Sequence, residues 1–283
     1  MGLGGVAIAV PPYVIHPQTA VLGQAGGVVL VNVSFTQPNK RLAGKTIFIS
    51  GGTSGIGKNM AKTFMEEGAT VIVSGRKEET LKELNAEYPE IHTIKWDISD
   101  IHSASNNIAE LDKKYGPIDV FVNNAGVYDA ASWDSITEAS FDKCADINQK
   151  ALFFMCQAEG KYMVNHHIKG KIINITSIAG IKSGFDPYSV SKWGATCITK
   201  GLAKELVHHG IVVNGIAPGN VVTNIHDGVK GKDVKDNAFM PSHLTKRYTL
   251  VEEISSLATF LASDSSNNII GQIISVDGGW TLQ

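Results

Sequence analysis

The stretch Thr46-Ile-Phe-Ile-Ser50-Gly-Gly-Thr-Ser-Gly-Ile-Gly57, continuing Lys58-Asn-Met-Ala-Lys-Thr-Phe64, runs a short β-branched segment through a glycine-rich turn into a helical one. Glycines at such a turn let the backbone bend tightly and approach a pyrophosphate. The anion then sits on the free N–H groups and positive dipole of the helix start. Gly51, Thr53, Ser54, Gly55, Ile56 and Gly57 are therefore candidate cofactor contacts. A glycine-rich turn is weak evidence by itself; the strand before it and the helix after it give it weight.

Working outward, short β-branched runs alternate with longer amphipathic ones. Strands are expected at 46–50, 70–74, 91–96, 120–123, 171–176, 211–217 and 273–276, and helices near 57–67, 78–88, 101–115, 140–166, 187–209 and 251–261. Continuous apolar strands separated by helices imply an α/β fold, a doubly wound Rossmann-type parallel sheet of about seven strands with helices on both faces. Ligands of such sheets bind beyond the carboxyl ends of the strands. The connection from Pro218 to about Arg247 is too long for a turn and is a candidate lid or substrate loop, with Phe239 and Met240 as its apolar contacts. Lys230, Lys232 and Lys235 are expected to keep that loop solvated.

The second strand ends Val71-Ile-Val-Ser-Gly-Arg-Lys77, with Arg76 nineteen residues beyond Gly57. An NAD site usually places a carboxylate here to hold the ribose 2′-OH. A guanidinium suits a 2′-phosphate instead, so NADP(H) is expected in preference to NAD(H), which stays open.

All of the 25 Lys+Arg and 27 Asp+Glu fall in residues 40–283; the first 39 residues hold none. Two pieces follow: an uncharged extension, 1–40, and a single nucleotide-binding and catalytic domain, 41–283. The extension lacks the basic n-region of a secretory signal and the arginines of a transit peptide. It is read first as a poorly ordered or appended extension; the alternative is that its β-branched run from Gly27 to Phe35 forms an extra strand or a subunit contact. No run reaches the ~18 apolar residues of a membrane span, and a net charge of −2 gives no field favouring nucleic acid. Cys144, Cys156 and Cys197 form no CxxC pair and fit a reducing, cytoplasmic setting. The pairs His166-His167 and His208-His209 close helical patterns and are expected as caps, not as metal ligands.

Pro187-Tyr-Ser-Val-Ser-Lys192 opens a helix with Asp186 as N-cap and Pro187 at its first position. Tyr188 and Lys192, four apart, share a face. An ammonium beside a phenol favours phenolate, which would bring the Tyr188 pKa toward a range useful for proton transfer.

Taken in order, residues 50–57, Asn123-Asn-Ala-Gly126, Asp146-Ile-Asn148, Asn174-Ile-Thr-Ser177, Tyr188-x-x-x-Lys192, Asn214-Gly-Ile-Ala-Pro-Gly219 and Asp277-Gly-Gly-Trp280 resemble the short-chain dehydrogenase/reductase family in its single-domain form. The resemblance runs from about Arg41 to the C-terminus. It implies Tyr188 as general acid/base, Lys192 on the nicotinamide ribose, Ser177 on the substrate oxygen and Asn148 supporting a water relay to Lys192. It also implies Asp97 and Ile98 at the adenine, Asn124, Ala125 and Gly126 along the adenosine, and Pro218, Gly219, Val221 and Thr223 around the nicotinamide. Thr176 and Ser183 are alternatives for the Ser177 role. Ser50 stands where the family usually has Thr, and no basic residue precedes Gly55, so Arg76 alone argues for NADP. The implied activity is interconversion of a carbonyl, 3-oxoacyl groups included, and an alcohol. The rival is a silent NADP(H)-binding sensor of the same fold. A homodimer or homotetramer joined through the helices near 140–166 and 187–209 is implied as well. Nothing in this chemistry requires residues 1–39, so their deletion is expected to leave turnover intact.

Overall fold

The computed structural model describes residues 40–129, 132–221 and 240–283. The uncharged extension, Thr223 and most of the long connection, Phe239 included, lie outside the described residues.

Seven parallel strands form one sheet in the order β3-β2-β1-β4-β5-β6-β7. They are β1 (Thr46–Ser50), β2 (Thr70–Gly75), β3 (His92–Lys95), β4 (Val120–Asn123), β5 (Lys171–Ile175), β6 (Val212–Pro218) and β7 (Ile273–Val276). The helices are α1 (Gly55–Glu66), α2 (Glu78–Glu87), α3 (Ala104–Tyr115), α4 (Glu138–Cys144), α5 (Leu152–Asn165), α6 (Pro187–Leu206) and α7 (Val251–Ala262).

Alternation along the strands divides the core into two layers. Phe48, Phe121, Ile172 and Val213 point to one face, where α3, α5 and α6 supply Ile108, Met155 and Ala195. Ile47, Ile49, Val71 and Val122 point to the other, against Met60 and Phe64 of α1, Leu84 of α2 and Ile254 of α7. Burial on both faces explains why these strands read as unbroken apolar runs.

Strand order reverses between β1, which leads to β2, and β4, which leads to β5. The crossovers leave on opposite faces there, and a crevice opens at the carboxyl ends of β1 and β4. It brings Ser50 beside Asn123, its register partner in β4.

Two expected helices differ. α3 begins at Ala104, not 101, because Asp97 turns the chain: its Oδ1 accepts from the Ser99 amide at 3.0 Å and from the Ser99 hydroxyl at 2.8 Å. The span 140–166 is not one α-helix; between α4 and α5 lies a π-helical segment, Ala145–Ala151, that carries Asn148. His166 caps α5, and His208 and His209 end a 3-10 turn closed by Gly210 at φ 76°.

Candidate active site

The phosphate cradle is built by close approach. Gly51 sits at φ +64°, and a Cβ there would lie 2.8 Å from Ala125 Cα. A Cβ at Gly57 would strike Asn124 Nδ2 and stand 2.5 Å from the Gly51 carbonyl oxygen. Asn124 ties the turn together, donating its amide to the Ser50 and Gly51 carbonyls at 3.1 and 2.8 Å. The Ser50 hydroxyl accepts from the Asn124 and Ala125 backbone N–H groups at 3.1 and 3.2 Å, so serine suffices where the family usually has threonine. Ser54 is the N-cap of α1 and makes no side-chain cap bond, which leaves the first N–H groups of the helix free for an anion.

A cleft of ≈ 330 Å³ runs from this cradle across the ends of β1, β4, β5 and β6. Gly51, Thr53, Ser54, Gly55, Ile56, Arg76, Asp97 and Ile98 line one end, with Asn124, Ala125 and Gly126 in the middle. Ser177, Tyr188, Lys192, Pro218, Gly219 and Val221 line the other. Two predicted residues stand behind the wall: Gly57 gives room for the turn, and Asn148 lies under Val127. Arg76 is exposed and makes no ion pair with the other described residues.

At the far end, α6 starts as expected. Asp186 caps it, accepting from the Ser189 amide at 2.8 Å and the Ser189 hydroxyl at 2.7 Å. The next residues, Tyr188 and Lys192, point into the cleft. Lys192 is buried and donates Nζ to the Ile175 carbonyl at 3.1 Å. Its Nζ lies 5.6 Å from the centre of the Tyr188 ring. Burial lowers the Lys192 pKa to about 8. Burial also raises Tyr188 to about 12, against the downward pull of its hydrogen bond with Ser177. For the chain by itself, then, desolvation outweighs the Ser177 hydrogen bond, and the expected lowering of the Tyr188 pKa is not seen.

Ser177 is buried, and its Oγ accepts from the Ala179 amide at 3.1 Å, starting a 3-10 turn, Ile178–Gly180, that packs on α6. The alternatives fall away on geometry: Thr176 donates its hydroxyl to the Ile216 carbonyl at 2.9 Å within the sheet, and Ser183 is exposed.

Asn148 uses both of its N–H donors and one lone pair of its oxygen. Its Oδ1 accepts from the Val127 amide at 2.8 Å, and its Nδ2 donates to the Val127 carbonyl at 2.8 Å and to Ser191 Oγ at 3.0 Å. It reaches the cleft through Gly126, where a Cβ would lie 3.2 Å from Asn148 Oδ1 and 3.6 Å from Lys192 Nζ. Only a glycine leaves space between these two groups.

Sequence reasoning missed Tyr128, whose ring stands edge-on to Tyr188 with centroids 4.9 Å apart. Its position two residues after Gly126 was the available signal. It also missed Glu159 on α5, wholly buried, with one carboxyl oxygen accepting from Asn123 Nδ2 at 2.9 Å and the other without a hydrogen-bond partner. Burial raises its pKa to about 8.

A doubly wound sheet whose switch-point cleft joins an anion cradle to a buried Ser/Tyr/Lys cluster defines a nicotinamide-dependent oxidoreductase. The comparisons with known proteins agree. Residues 51–281 match the family described as Enoyl-(Acyl carrier protein) reductase. Gluconate 5-dehydrogenase of Gluconobacter oxydans is 31% identical over 247 residues, covering 85% of this chain and 96% of that enzyme. A 3-oxoacyl-(acyl-carrier-protein) reductase of Thermotoga maritima is 35% identical, covering 86% of this chain and all of the relative. Among solved structures, a gluconate 5-dehydrogenase from Burkholderia cenocepacia in complex with NADP and tartrate superposes with a TM-score of 0.78 at 28% identity, over 87% of this chain and 99% of that one. The chain belongs to the short-chain dehydrogenase/reductase family and is an oxidoreductase.

Proposed function

We propose that the protein is an NADP(H)-dependent reductase/dehydrogenase that interconverts a ketone or aldehyde and the corresponding alcohol. The observation that carries this is the continuity of one cleft from Arg76 to Tyr188. The fit to the cofactor rests on the glycine cradle that any Cβ would fill, the uncapped start of α1 and the unpaired guanidinium of Arg76. Arg76 would hold the 2′-phosphate, Asp97 and Ile98 the adenine, the first turn of α1 the pyrophosphate, and Pro218, Gly219 and Val221 the nicotinamide. When bound, the nicotinamide supplies or accepts the hydride.

The chain's own residues handle position and protons. Tyr188, held protonated by burial, would donate its proton to the substrate oxygen during reduction and withdraw it during oxidation. Ser177 would hold that oxygen in line and stabilise the charge that develops on it. Lys192 would fix the ribose and, as ammonium, favour proton release from Tyr188. Asn148 would hold the Val127 peptide and α6 in register, with its Oδ1 facing Lys192 across Gly126 for a bridging water.

The oligomer is part of the same proposal. Phe153, Phe154 and Trp193 stand exposed on α5 and α6, an apolar face that a second copy of the chain would cover. Three free thiols, two of them buried, support a reducing, cytoplasmic setting.

The test is consumption of NADPH, followed at the nicotinamide absorbance, across carbonyls that include 3-oxoacyl thioesters and keto-sugar acids, with Tyr188→Phe as control. Turnover by the wild type with loss in the variant is the expected result. Equal rates would end the proposed mechanism, and tight NADPH binding without turnover on any substrate would leave a binding protein. Light scattering at micromolar concentration should show a dimer or tetramer; a monomer alone would refute that part.

A further inference from the structure

His243 is wholly buried; among the described residues the other histidines are exposed, apart from half-buried His92 in β3. A tight turn carries it inward: the Met240 amide donates to the Lys246 carbonyl at 2.9 Å, the Lys246 amide to the His243 carbonyl at 3.0 Å, and Lys246 takes φ +58° to close it. The imidazole enters the seam between the turn after β6 and the turn after β7. Both turns make room with glycine. A Cβ at Gly219 would lie 2.9 Å from His243 Nε2, and a Cβ at Gly278 would lie 2.9 Å from His243 Nδ1. The Trp280 ring closes the seam, with centroids 5.8 Å apart.

Within the seam, His243 Nε2 accepts from the Asn220 backbone N–H at 3.2 Å. Gly219 and Val221, on either side of that amide, line the cleft. The turn is also tied by backbone bonds, from the Gly219 amide to the Val276 carbonyl and from the Thr249 amide to the Asn220 carbonyl, both 2.9 Å, and by long contacts of the Asn220 side-chain amide with Met240 Sδ at 3.6 Å and Ser242 Oγ at 3.5 Å, none of which engages the Asn220 backbone N–H. The imidazole is thus the side chain that holds the Asn220 amide.

We propose that His243 is a positioning residue for the nicotinamide end of the cleft: by accepting the Asn220 amide hydrogen it locks the peptide between Gly219 and Asn220, and the walls on both sides of it, against the C-terminal turn. The proposal rests on the cofactor placement given above. An imidazole that accepts at Nε2 carries its proton on Nδ1, and an imidazolium has no acceptor at all, so the lock requires the neutral ring. The charged groups facing the ring pull in opposite directions, Asp277 toward the imidazolium and Arg247 away from it, and burial is the largest influence. Asp277, from the turn after β7, spends its carboxylate on the Gly279 and Thr281 amides at 3.0 and 2.7 Å. Arg247, from the loop before α7, is held by Glu253 at 2.6 Å. Burial pushes the imidazole pKa below its ordinary value.

The experiment compares two ligands on the full chain by calorimetry: NADP+, which reaches both ends of the cleft, and 2′,5′-ADP, which reaches only the Arg76 end. His243→Leu fills the space without an acceptor and should weaken NADP+ about tenfold while leaving 2′,5′-ADP unchanged. His243→Gln restores an acceptor and should recover NADP+ binding. A leucine variant that binds NADP+ as the wild type does, or loses both ligands equally, or is not matched by recovery in the glutamine variant, overturns the proposal. If the leucine variant does not fold, the ratio of the two affinities decides. It should fall several-fold from pH 7.5 to pH 5 in the wild type and stay level in His243→Gln; a level ratio in the wild type overturns the proposal. Wild type that binds neither ligand would instead sink the cofactor assignment, a separate outcome.

Discussion

Lys192 Nζ donates to the Ile175 carbonyl at 3.1 Å while facing the Tyr188 ring at 5.6 Å, so one buried side chain links the end of β5 to Tyr188. Its burial lowers its pKa to about 8, and the same environment raises Tyr188 to about 12. These are properties of the free enzyme, which kcat/KM reports. Lys192 is cationic below about 8 and loses its charge above it. Carbonyl reduction should therefore show kcat/KM level near neutral pH and falling as pH rises through about 8. A flat profile to pH 10 would count against this role for Lys192.

Removing the phenol isolates its contribution. Tyr188→Phe keeps the ring that packs against Tyr128 and should lower kcat by about 10²–10⁴. NADPH affinity should change little, as fluorescence titration would show. A large loss of affinity would mean that Tyr188 binds cofactor more than it moves protons.

In the proposed placement Arg76 would hold the 2′-phosphate and so set a preference for NADP(H). Arg76→Ala should weaken NADPH by about 10–100-fold, the value of a charge-assisted contact, and leave NADH almost unchanged. Steady-state KM values for both cofactors test it; equal losses would place the 2′-phosphate elsewhere.

Glu159 couples stability to pH. Its pKa, raised from 4.5 to about 8 by burial, means that the folded state holds its proton more tightly than the unfolded chain does. The stability this contributes is full below about 4.5 and is lost as pH rises through about 8. Glu159→Gln keeps an acceptor for Asn123 and cannot ionise. It should raise Tm at pH 8.5 by at least ~2–4 °C, about 1 kcal/mol for a domain of this size, with little effect at pH 5. No gain at pH 8.5 would refute the assignment.

The close approach at Gly51 predicts a backbone cost. Gly51→Ala would put a Cβ 2.8 Å from Ala125 Cα at φ +64° and should both destabilise the fold, by about 1–3 kcal/mol, and weaken cofactor binding. Denaturant unfolding and NADPH titration are the checks, and a neutral variant would show that the turn has slack.

The amino-acid sequence by itself determined the sheet: the inner strands β1, β2, β4, β5 and β6 are buried and read as apolar runs, and with the half-exposed edge strands β3 and β7 all fall within a residue or so of where the pattern puts them. It also determined the start of α6, since Asp186, Pro187 and the four-residue spacing of Tyr188 and Lys192 are local chemistry. Tertiary structure decided what depends on distant partners. Asn148 lies in a π-helical segment, not an α-helix, where its amide meets the Val127 backbone, a contact 21 residues away in sequence. The Ile216 carbonyl, 40 residues away, claims the Thr176 hydroxyl, which supports the proposed role of Ser177. Burial pushes the Tyr188 phenol up against its hydrogen bond with Ser177, and Glu159 and His243 become buried polar groups only once α5 and the C-terminal turn close over them. Desolvation and long-range hydrogen bonds are sums over neighbours that the order of residues does not display, which is why the positions of the catalytic groups were legible and their protonation was not.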